Sequence, residues 1–92
     1  MSIRGYEIFL IRLINHMLKV TLASPKEVIF EGLAESVFLP GDYGEFEVLP
    51  FHAQIMSVLK KGIIRIDDRF FNISEGFACM DQNNELVVLV ET

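Results

Sequence analysis

His52, one of two histidines in this chain, is the candidate general base. A nucleophilic enzyme needs a serine or cysteine within hydrogen-bond reach of such a base, and a third group that orients the base. The candidate nucleophiles are Ser36, Ser57, Ser74 and Cys79, which lie far apart in the chain. Because nothing in their spacing selects one trio, the sequence predicts a protein that is not an enzyme.

The spacing of the candidate ligands does not indicate a metal site or a phosphate-binding loop either. The two histidines and the one cysteine lie in three unrelated segments, whereas structural zinc sites use closely spaced ligands. Three carboxylates, Asp42, Glu45 and Glu47, lack the spacing of a calcium-binding loop. The glycines of residues 41–44 lead into a strand pattern rather than a helix, and the loop carries an acid that repels phosphate. We therefore expect no metal and no cofactor.

Composition favours a protein that is bound by other proteins. The net charge is -5, and the basic residues are dispersed apart from Lys60 and Lys61, which argues against nucleic acid as a partner. Of the 92 residues, 51% are hydrophobic, which is more than so small an interior can bury. The surplus is expected in a protein interface. The single Cys79 cannot form an internal disulfide and is expected to be buried in a reducing compartment.

Residues 1–16 differ from the rest of the chain. Ile3, Tyr6, Leu10 and Leu13 recur at three- and four-residue spacing, which is typical of a weakly amphipathic helix. The alternative is a disordered segment, or one that is not translated because Met17 is the initiator. The sequence thus predicts an N-terminal extension over 1–16 and one domain over 17–92.

No apolar stretch of the sequence reaches the roughly 18 to 20 residues that a membrane-spanning helix needs.

The pattern from Met17 onward has period two. Residues 19–22 alternate between polar and apolar, and in residues 45–48 the alternation predicts Phe46 and Val48 in the core with both neighbouring glutamates in solvent. Turn signals recur less than about a dozen residues apart. The predicted fold is all-β, an antiparallel β-sandwich of about eight to ten short strands.

Several connections are predicted from their turn residues. We expect a tight reversal at Gly32, one extended run over 33–39, and hairpins at residues 60–62 and 67–68. Residues 81–84 are typical of another turn. The last run, residues 86–90, is apolar without alternation and is therefore expected to be covered on both faces.

The charged part of residues 38–53 allows two interpretations. Asp42, Glu45 and Glu47 project acidic groups near one end of the predicted sheet. They could be solvated charges that protect a strand edge from aggregation. They could equally complement a basic partner surface and fix its register.

An ordered set of motifs resembles a known family, the N-terminal β-domain of the epsilon subunit of F-type rotary ATP synthase, called delta in mitochondria. The motifs are Phe30-x-Gly32-Leu33, Leu39-Pro40-Gly41, Gly44-Glu45-Phe46, Leu49-Pro50-x-His52-Ala53 and Gly62-Ile63-Ile64-Arg65-Ile66. The resemblance implies a ten-stranded sandwich at the foot of the central stalk, which joins the gamma subunit to the ring of c subunits. It also implies a non-catalytic, peripheral protein on the cytoplasmic face of a bacterial inner membrane.

Residue roles follow from the resemblance by position. Asp42 and Glu45 would face the polar loops of the c ring, and Ser24, His52 and Ser57 would lie on the gamma side. The chain ends where the family commonly continues into two C-terminal regulatory helices. The resemblance therefore implies coupling of rotation without regulation by these helices, and no nucleotide site.

The loop around His52 departs from the family pattern. Phe51 stands where the family usually has glycine, and we expect it to extend the apolar contact of the loop. Gln54 and Lys61 replace common prolines, and Glu47 occupies a frequent glycine position.

Two rival functions remain at this stage. A small ligand-binding β-sandwich, for example for an oligosaccharide, would require a concave apolar pocket with a few convergent polar groups. A hydrolase centred on His52 would require a nucleophile beside that histidine.

Overall fold

A computed structural model describes residues 17–51 and 54–92 of the chain. The expectations for residues 1–16 and for His52 lie outside the described residues. In the described part the chain forms β-strands and no helix, which confirms the predicted all-β class. The nine strands are β1 (Leu18–Ala23), β2 (Val28–Ala34), β3 (Val37–Gly41), β4 (Gly44–Val48), β5 (Ile55–Leu59), β6 (Gly62–Ile66), β7 (Arg69–Ile73), β8 (Glu75–Met80) and β9 (Glu85–Glu91).

The strands form one curled sheet with two halves. The order is β2-β1-β9-β8-β5-β3-β6-β7, and β4 pairs with the free side of β3. A single backbone pair, Gly41 with Leu59, joins β3 to β5. We call β2-β1-β9-β8-β5 the first layer and β4-β3-β6-β7 the second layer. The paired strands are antiparallel, except that β1 and β9 run parallel.

The core consists of the inward-facing residues of both layers, which alternate with outward-facing ones along each strand. The fully buried larger side chains are Leu18, Val20, Leu22, Val37, Leu39, Val48, Leu59, Ile64, Ile66, Met80, Leu86 and Val88. Phe30 and Phe71 pack beside this core with ring centroids 6.2 Å apart. Burying each such side chain contributes about 1.5–3 kcal/mol, which makes the filled interior the main source of stability.

β3 and β4 form a hairpin, and the residues of β4 alternate between core and solvent as the sequence predicts. Gly41 pairs with Gly44 across a two-residue turn, and Gly44 has a φ of 126°, which favours glycine. Val48 is fully buried and Phe46 packs against the core, while both glutamates of β4 are exposed. The hairpin therefore carries acidic side chains on its outer side.

The predicted reversal at Gly32 is wrong. Gly32 pairs with Val20 in the interior of β2, because β2 pairs with β1 along its whole length. The chain turns instead after Ala34, so the single run predicted over residues 33–39 is also interrupted. At this turn the amides of Glu35 and Ser36 donate to Asp67 Oδ1, at 3.0 and 3.1 Å. The acceptor lies more than thirty positions away in the chain, so no local signal marked this turn.

Replacing Asp67 by alanine is expected to destabilise the domain by about 2–3 kcal/mol. The carboxylate accepts two backbone hydrogen bonds, each worth about 1 kcal/mol, and Asp67 has a φ of 52°, where alanine is strained by a further ~1 kcal/mol. Urea unfolding monitored by circular dichroism measures the change. The matched control is Asp68→Ala in the same turn, which should stay within about 0.5 kcal/mol of wild type. Equal losses for the two variants would contradict the assigned role of Asp67.

The predicted hairpin at residues 60–62 is also wrong, because β5 and β6 do not pair with each other. β5 pairs with β8 and β3, whereas β6 pairs with β7 and β3. The amide of Lys60 donates to the carbonyl of Pro40 at 2.9 Å, and the chain here crosses from the first layer to the second. A Cβ on Gly62 would lie 2.8 Å from Pro40 Cβ, so this glycine permits a close approach. The hairpin at residues 67–68 is confirmed, with Ile66 paired to Arg69.

The last strand is covered on one face only, contrary to expectation. In β9, Leu86, Val88 and Val90 are buried, while Val87 is 39% and Leu89 54% exposed. β1 and β8 pair with the two edges of β9, but the described residues place no element over its outer face. An apolar surface remains exposed there.

Candidate partner-binding surface

The outer face of the first layer carries adjacent apolar side chains. Register places Met56, Cys79 and Val87 in one row across β5, β8 and β9, and Val58, Phe77 and Leu89 in the next row. We call Met56, Val58, Phe77, Val87 and Leu89 the outer-face patch. The exposed fraction of its residues runs from 36% for Phe77 to 76% for Met56. Adjacent exposed apolar side chains of this kind are typical of an interaction site.

A groove of about 440 Å³ lies at one end of the patch. Val58, Phe77 and Leu89 line it together with Ala23 and Ser24, at the end of β1. Two further lining residues, Glu75 and Glu91, are directly paired across β8 and β9. The groove therefore combines an apolar floor with an acidic rim. The two glutamates repel each other, because like charges directly opposite on neighbouring strands are destabilising.

Ser24 lies in the turn between β1 and β2 and lines the groove. Its Oγ accepts hydrogen bonds from the amides of Lys26 and Glu27, both at 3.3 Å, and its amide donates to the carbonyl of Glu27 at 2.9 Å. These bonds stabilise the β1–β2 turn, in which Pro25 follows Ser24 and fixes φ for the turn. They also keep this serine at the groove.

Ser57 is placed differently from Ser24. It alternates with Met56 and Val58 in β5, so its side chain lies on the face that also carries buried Leu59. Its Oγ donates to the carbonyl of Val58 at 3.2 Å. The structure therefore does not bring Ser57 onto the outer-face patch. His52, the third residue assigned to this contact, is outside the described part of the chain.

Asp42 and Glu45 lie together on the β3–β4 hairpin, both exposed, with the fully exposed Tyr43 between them. Gly41, which precedes this turn, pairs with Leu59, and Leu59 lines the groove. The acidic hairpin and Ser24 are thus near the same end of the molecule. The loop that follows β4 leaves from the opposite end of the hairpin.

The sequence patterns did not predict the hydrogen bonds that join the loop after β4 to the β8–β9 turn. The amide of Phe51 donates to Asn84 Oδ1 at 2.6 Å, and Asn84 Nδ2 donates to the carbonyl of Met17 at 3.4 Å. Phe51 has a φ of 62° and is 67% exposed. The family that the motifs resemble usually has glycine at this position, and that glycine could have indicated the positive φ of Phe51.

The outer face of the second layer is mixed in character. Register places Glu47, Phe38, Arg65 and Phe70 in one row across β4, β3, β6 and β7. The guanidinium carbon of Arg65 lies 4.2 Å from the centre of the Phe38 ring, within cation–π distance. Its Nε is buried and has no hydrogen-bond partner among the described residues. This face presents a cation and an acidic edge rather than a continuous apolar surface.

The described residues contain neither a metal-ligand cluster nor a membrane-spanning helix. No group of three or more histidine, cysteine, aspartate or glutamate side chains in residues 17–51 and 54–92 is close enough to hold a metal ion. Nor does the described part contain a helix of sufficient length and apolarity to cross a bilayer.

Curated relatives of this chain are named ATP synthase epsilon chain. One from a Nitratiruptor species is 48% identical over 50 residues, covering 54% of this chain and 39% of the relative. One from Campylobacter curvus is 38% identical over 76 residues, covering 77% of this chain and 59% of the relative. The chain therefore spans about two fifths to three fifths of the length of these relatives.

Solved structures share the fold at lower identity. A structure of the Euglena gracilis mitochondrial ATP synthase with its c-ring contains a chain that superposes with a TM-score of 0.78 at 21% identity, covering 86% of this chain and 53% of that one. A central stalk and c-ring structure from Tetrahymena thermophila gives 0.68 at 15% identity, covering 82% and 63%.

The family model that matches this chain describes the β-sandwich domain of the ATP synthase delta/epsilon chain, and it covers residues 17–92. The match includes every strand of both layers. The chain belongs to the family of ATP synthase delta/epsilon chain β-sandwich domains.

Proposed function

We propose that this chain is a non-catalytic subunit of the central stalk of a proton-translocating ATP synthase, where it couples the gamma subunit to the c ring. The observation that carries the proposal is an outer-face patch of adjacent exposed apolar side chains on a sandwich of this family. Its location would be peripheral, on the cytoplasmic face of a bacterial inner membrane. Residues 17–92 would form the coupling domain, and residues 1–16 an N-terminal extension.

The outer-face patch supports gamma as the partner of the first layer. Covering one exposed leucine or phenylalanine with a partner surface contributes about 1.5–3 kcal/mol, so a few such side chains supply most of a stable contact. The acidic rim of the groove, Glu75 and Glu91, would favour a basic residue of gamma at its edge. We assign Ser24, which lines the groove, and His52 to the same partner. Ser57 is not included, because its side chain lies on the other side of β5 from the outer-face patch.

The β3–β4 hairpin supports the c ring as the second partner. Asp42 and Glu45 are exposed and adjacent, which suits contacts with basic and amide groups of the c-ring loops. Exposed ion pairs contribute only about 0–1 kcal/mol each, so several contacts must share the load. A rigid body bound on two sides can transmit torque, and close packing with paired strands gives the sandwich that rigidity.

Co-purification from the native cells tests the proposal as a whole. The full chain carries an affinity tag, and the membranes are solubilised in mild detergent. We expect gamma and c subunits to be recovered with it, and electron microscopy of the complex to show the sandwich between them. Recovery of neither subunit would refute the proposal.

Charge reversal tests the c-ring contact separately. The double variant Asp42→Lys/Glu45→Lys is expected to bind detergent-solubilised c rings about 3- to 10-fold more weakly at low ionic strength, because each exposed ion pair is worth up to about 1 kcal/mol. Binding to F1 that lacks this subunit but contains gamma should stay at the wild-type level. A control reversal, Asp68→Lys in the β6–β7 turn, should leave c-ring binding unchanged, because that turn lies at the end of β3 away from Gly41. Unchanged c-ring binding in the double variant would reject these two residues as contacts.

The groove favours a second candidate function, a ligand-binding β-sandwich. Its apolar floor and volume of about 440 Å³ fit a small apolar ligand. Mass spectrometry of the chain purified under native conditions separates the two functions. A bound small molecule without gamma or c subunits would favour this candidate.

A further inference from the structure

Phe51 combines two properties that are unfavourable for the isolated domain. Its φ of 62° lies in the left-handed region, where a side chain with a Cβ is strained. Its side chain is 67% exposed, so the aromatic ring gains little from packing within this domain. Glycine would adopt the same backbone conformation without strain. Phenylalanine here is therefore a cost to stability that the sandwich itself does not explain.

Asn84 holds Phe51 in this conformation. The side-chain oxygen of Asn84 accepts from the amide of Phe51 at 2.6 Å, and its side-chain nitrogen donates to the carbonyl of Met17 at 3.4 Å. The backbone carbonyl of Asn84 accepts from the amide of Lys19 at 3.0 Å. Asn84 itself has a φ of 63°, which asparagine tolerates better than most residues. The β8–β9 turn and the start of β1 thus fix the backbone that presents the Phe51 ring.

The geometry points to Phe51 as an aromatic anchor that inserts into an apolar pocket of the gamma subunit, with Asn84 as its positioning residue. This inference rests on the proposed function and names one contact within it. Leu49, which is 44% exposed, lies two residues away and enlarges the apolar surface of the loop. Aromatic side chains presented at low entropic cost are the residues that most often dominate binding energy.

The position of Phe51 favours gamma over the c ring as the partner. Asp42 and Glu45 lie at the turn of the β3–β4 hairpin, whereas Phe51 follows the other end of β4. The five residues of β4 span roughly 17 Å, so one c-ring loop that contacts the turn does not also reach Phe51. Along the chain, Phe51 lies shortly before Met56, the first residue of the outer-face patch.

The first test is Phe51→Gly in the full chain, with F1 from the same cells that contains gamma and lacks this subunit. The melting temperature of the isolated chain is expected to stay unchanged or rise by a few degrees, because the strain is removed. The dissociation constant for F1 is expected to rise about 10- to 50-fold, because a buried aromatic anchor is lost. Phe51→Tyr keeps the ring and should bind within about threefold of wild type.

The second test is a double-mutant cycle with Asn84→Gly, which keeps the positive φ and removes both side-chain hydrogen bonds. Asn84→Gly alone should weaken F1 binding about 3- to 10-fold, because the ring is no longer held in place. In the Phe51→Gly background, Asn84→Gly should have little further effect on binding. A residue that only stabilised the fold would weaken binding equally in both backgrounds.

The outcomes distinguish failure of the Phe51 anchor from failure of the proposed function. Wild-type chain that fails to bind gamma-containing F1 would overturn the proposed function, and the anchor with it. Wild-type chain that binds F1, while Phe51→Gly binds equally well, would overturn only the anchor. Additive losses in the cycle would overturn the positioning role of Asn84.

Discussion

Replacing Val88 by aspartate is expected to leave the purified chain largely unfolded at 25 °C. Val88 is fully buried between the layers and pairs with Leu22 and Ala78 on neighbouring strands. The substitution removes an apolar side chain and places a carboxylate where the described core offers no cation. The loss exceeds about 4 kcal/mol, and a domain of this size lies toward the low end of the roughly 5–15 kcal/mol that stabilises folded proteins.

The neighbouring residue provides the matched control for this change. Leu89 is on the same strand but 54% exposed, so Leu89→Asp should cost only about 1 kcal/mol or less, mainly in strand propensity. Circular dichroism and the dispersion of amide signals in NMR spectra measure both variants. If Leu89→Asp unfolds the chain as completely as Val88→Asp, the outer face of β9 is covered, as the apolar run of residues 86–90 had predicted.

Leu89→Asp is also expected to have the largest effect on binding among folded variants. Leu89 lies in the outer-face patch and lines the groove, so a partner that covers this surface must bury the new carboxylate. We expect the dissociation constant for gamma-containing F1 to rise at least about 100-fold, which corresponds to roughly 2.7 kcal/mol. Titration of F1 that lacks this subunit with fluorescently labelled chain measures the affinity.

Phe70→Asp is the control for the binding measurement. Phe70 is 66% exposed on the outer face of the second layer, so the substitution adds the same charge to a similarly exposed apolar position. It should leave gamma binding within about threefold of wild type. An equal loss for both variants would mean that gamma does not select the first layer, and it would remove the main support for the proposed orientation.

The outer face of the first layer and the β3–β4 hairpin have separable roles in the proposed coupling. The first layer presents apolar side chains and a groove, and the β3–β4 hairpin presents charges near the end where that groove lies. Apolar contacts give affinity, whereas exposed charges mainly fix orientation and register. A subunit that links two partners can use one kind of contact for each.

The sequence by itself determined the all-β class, the inward-facing positions of β4 and the hairpin at residues 67–68, but its turn residues also predicted a hairpin at residues 60–62 that does not form. Alternation in residues 45–48 correctly placed Phe46 and Val48 at the core, and the Asp-Asp pair at residues 67–68 correctly predicted a tight hairpin. The ordered motifs also led to the correct family. These features were predictable because period-two burial and turn chemistry are local properties of the chain.

Only the tertiary structure decided where the chain crosses from one layer to the other and which face of the sheet remains exposed. Gly32 and Gly62 are both glycines in turn-like contexts, yet one continues a strand and the other permits close approach to Pro40. Leu89 and Val88 are equally apolar, yet only Val88 faces the second layer. The hydrogen bond from Phe51 to Asn84 joins residues 33 positions apart. Each of these outcomes depends on contacts between distant segments, which local propensity does not encode.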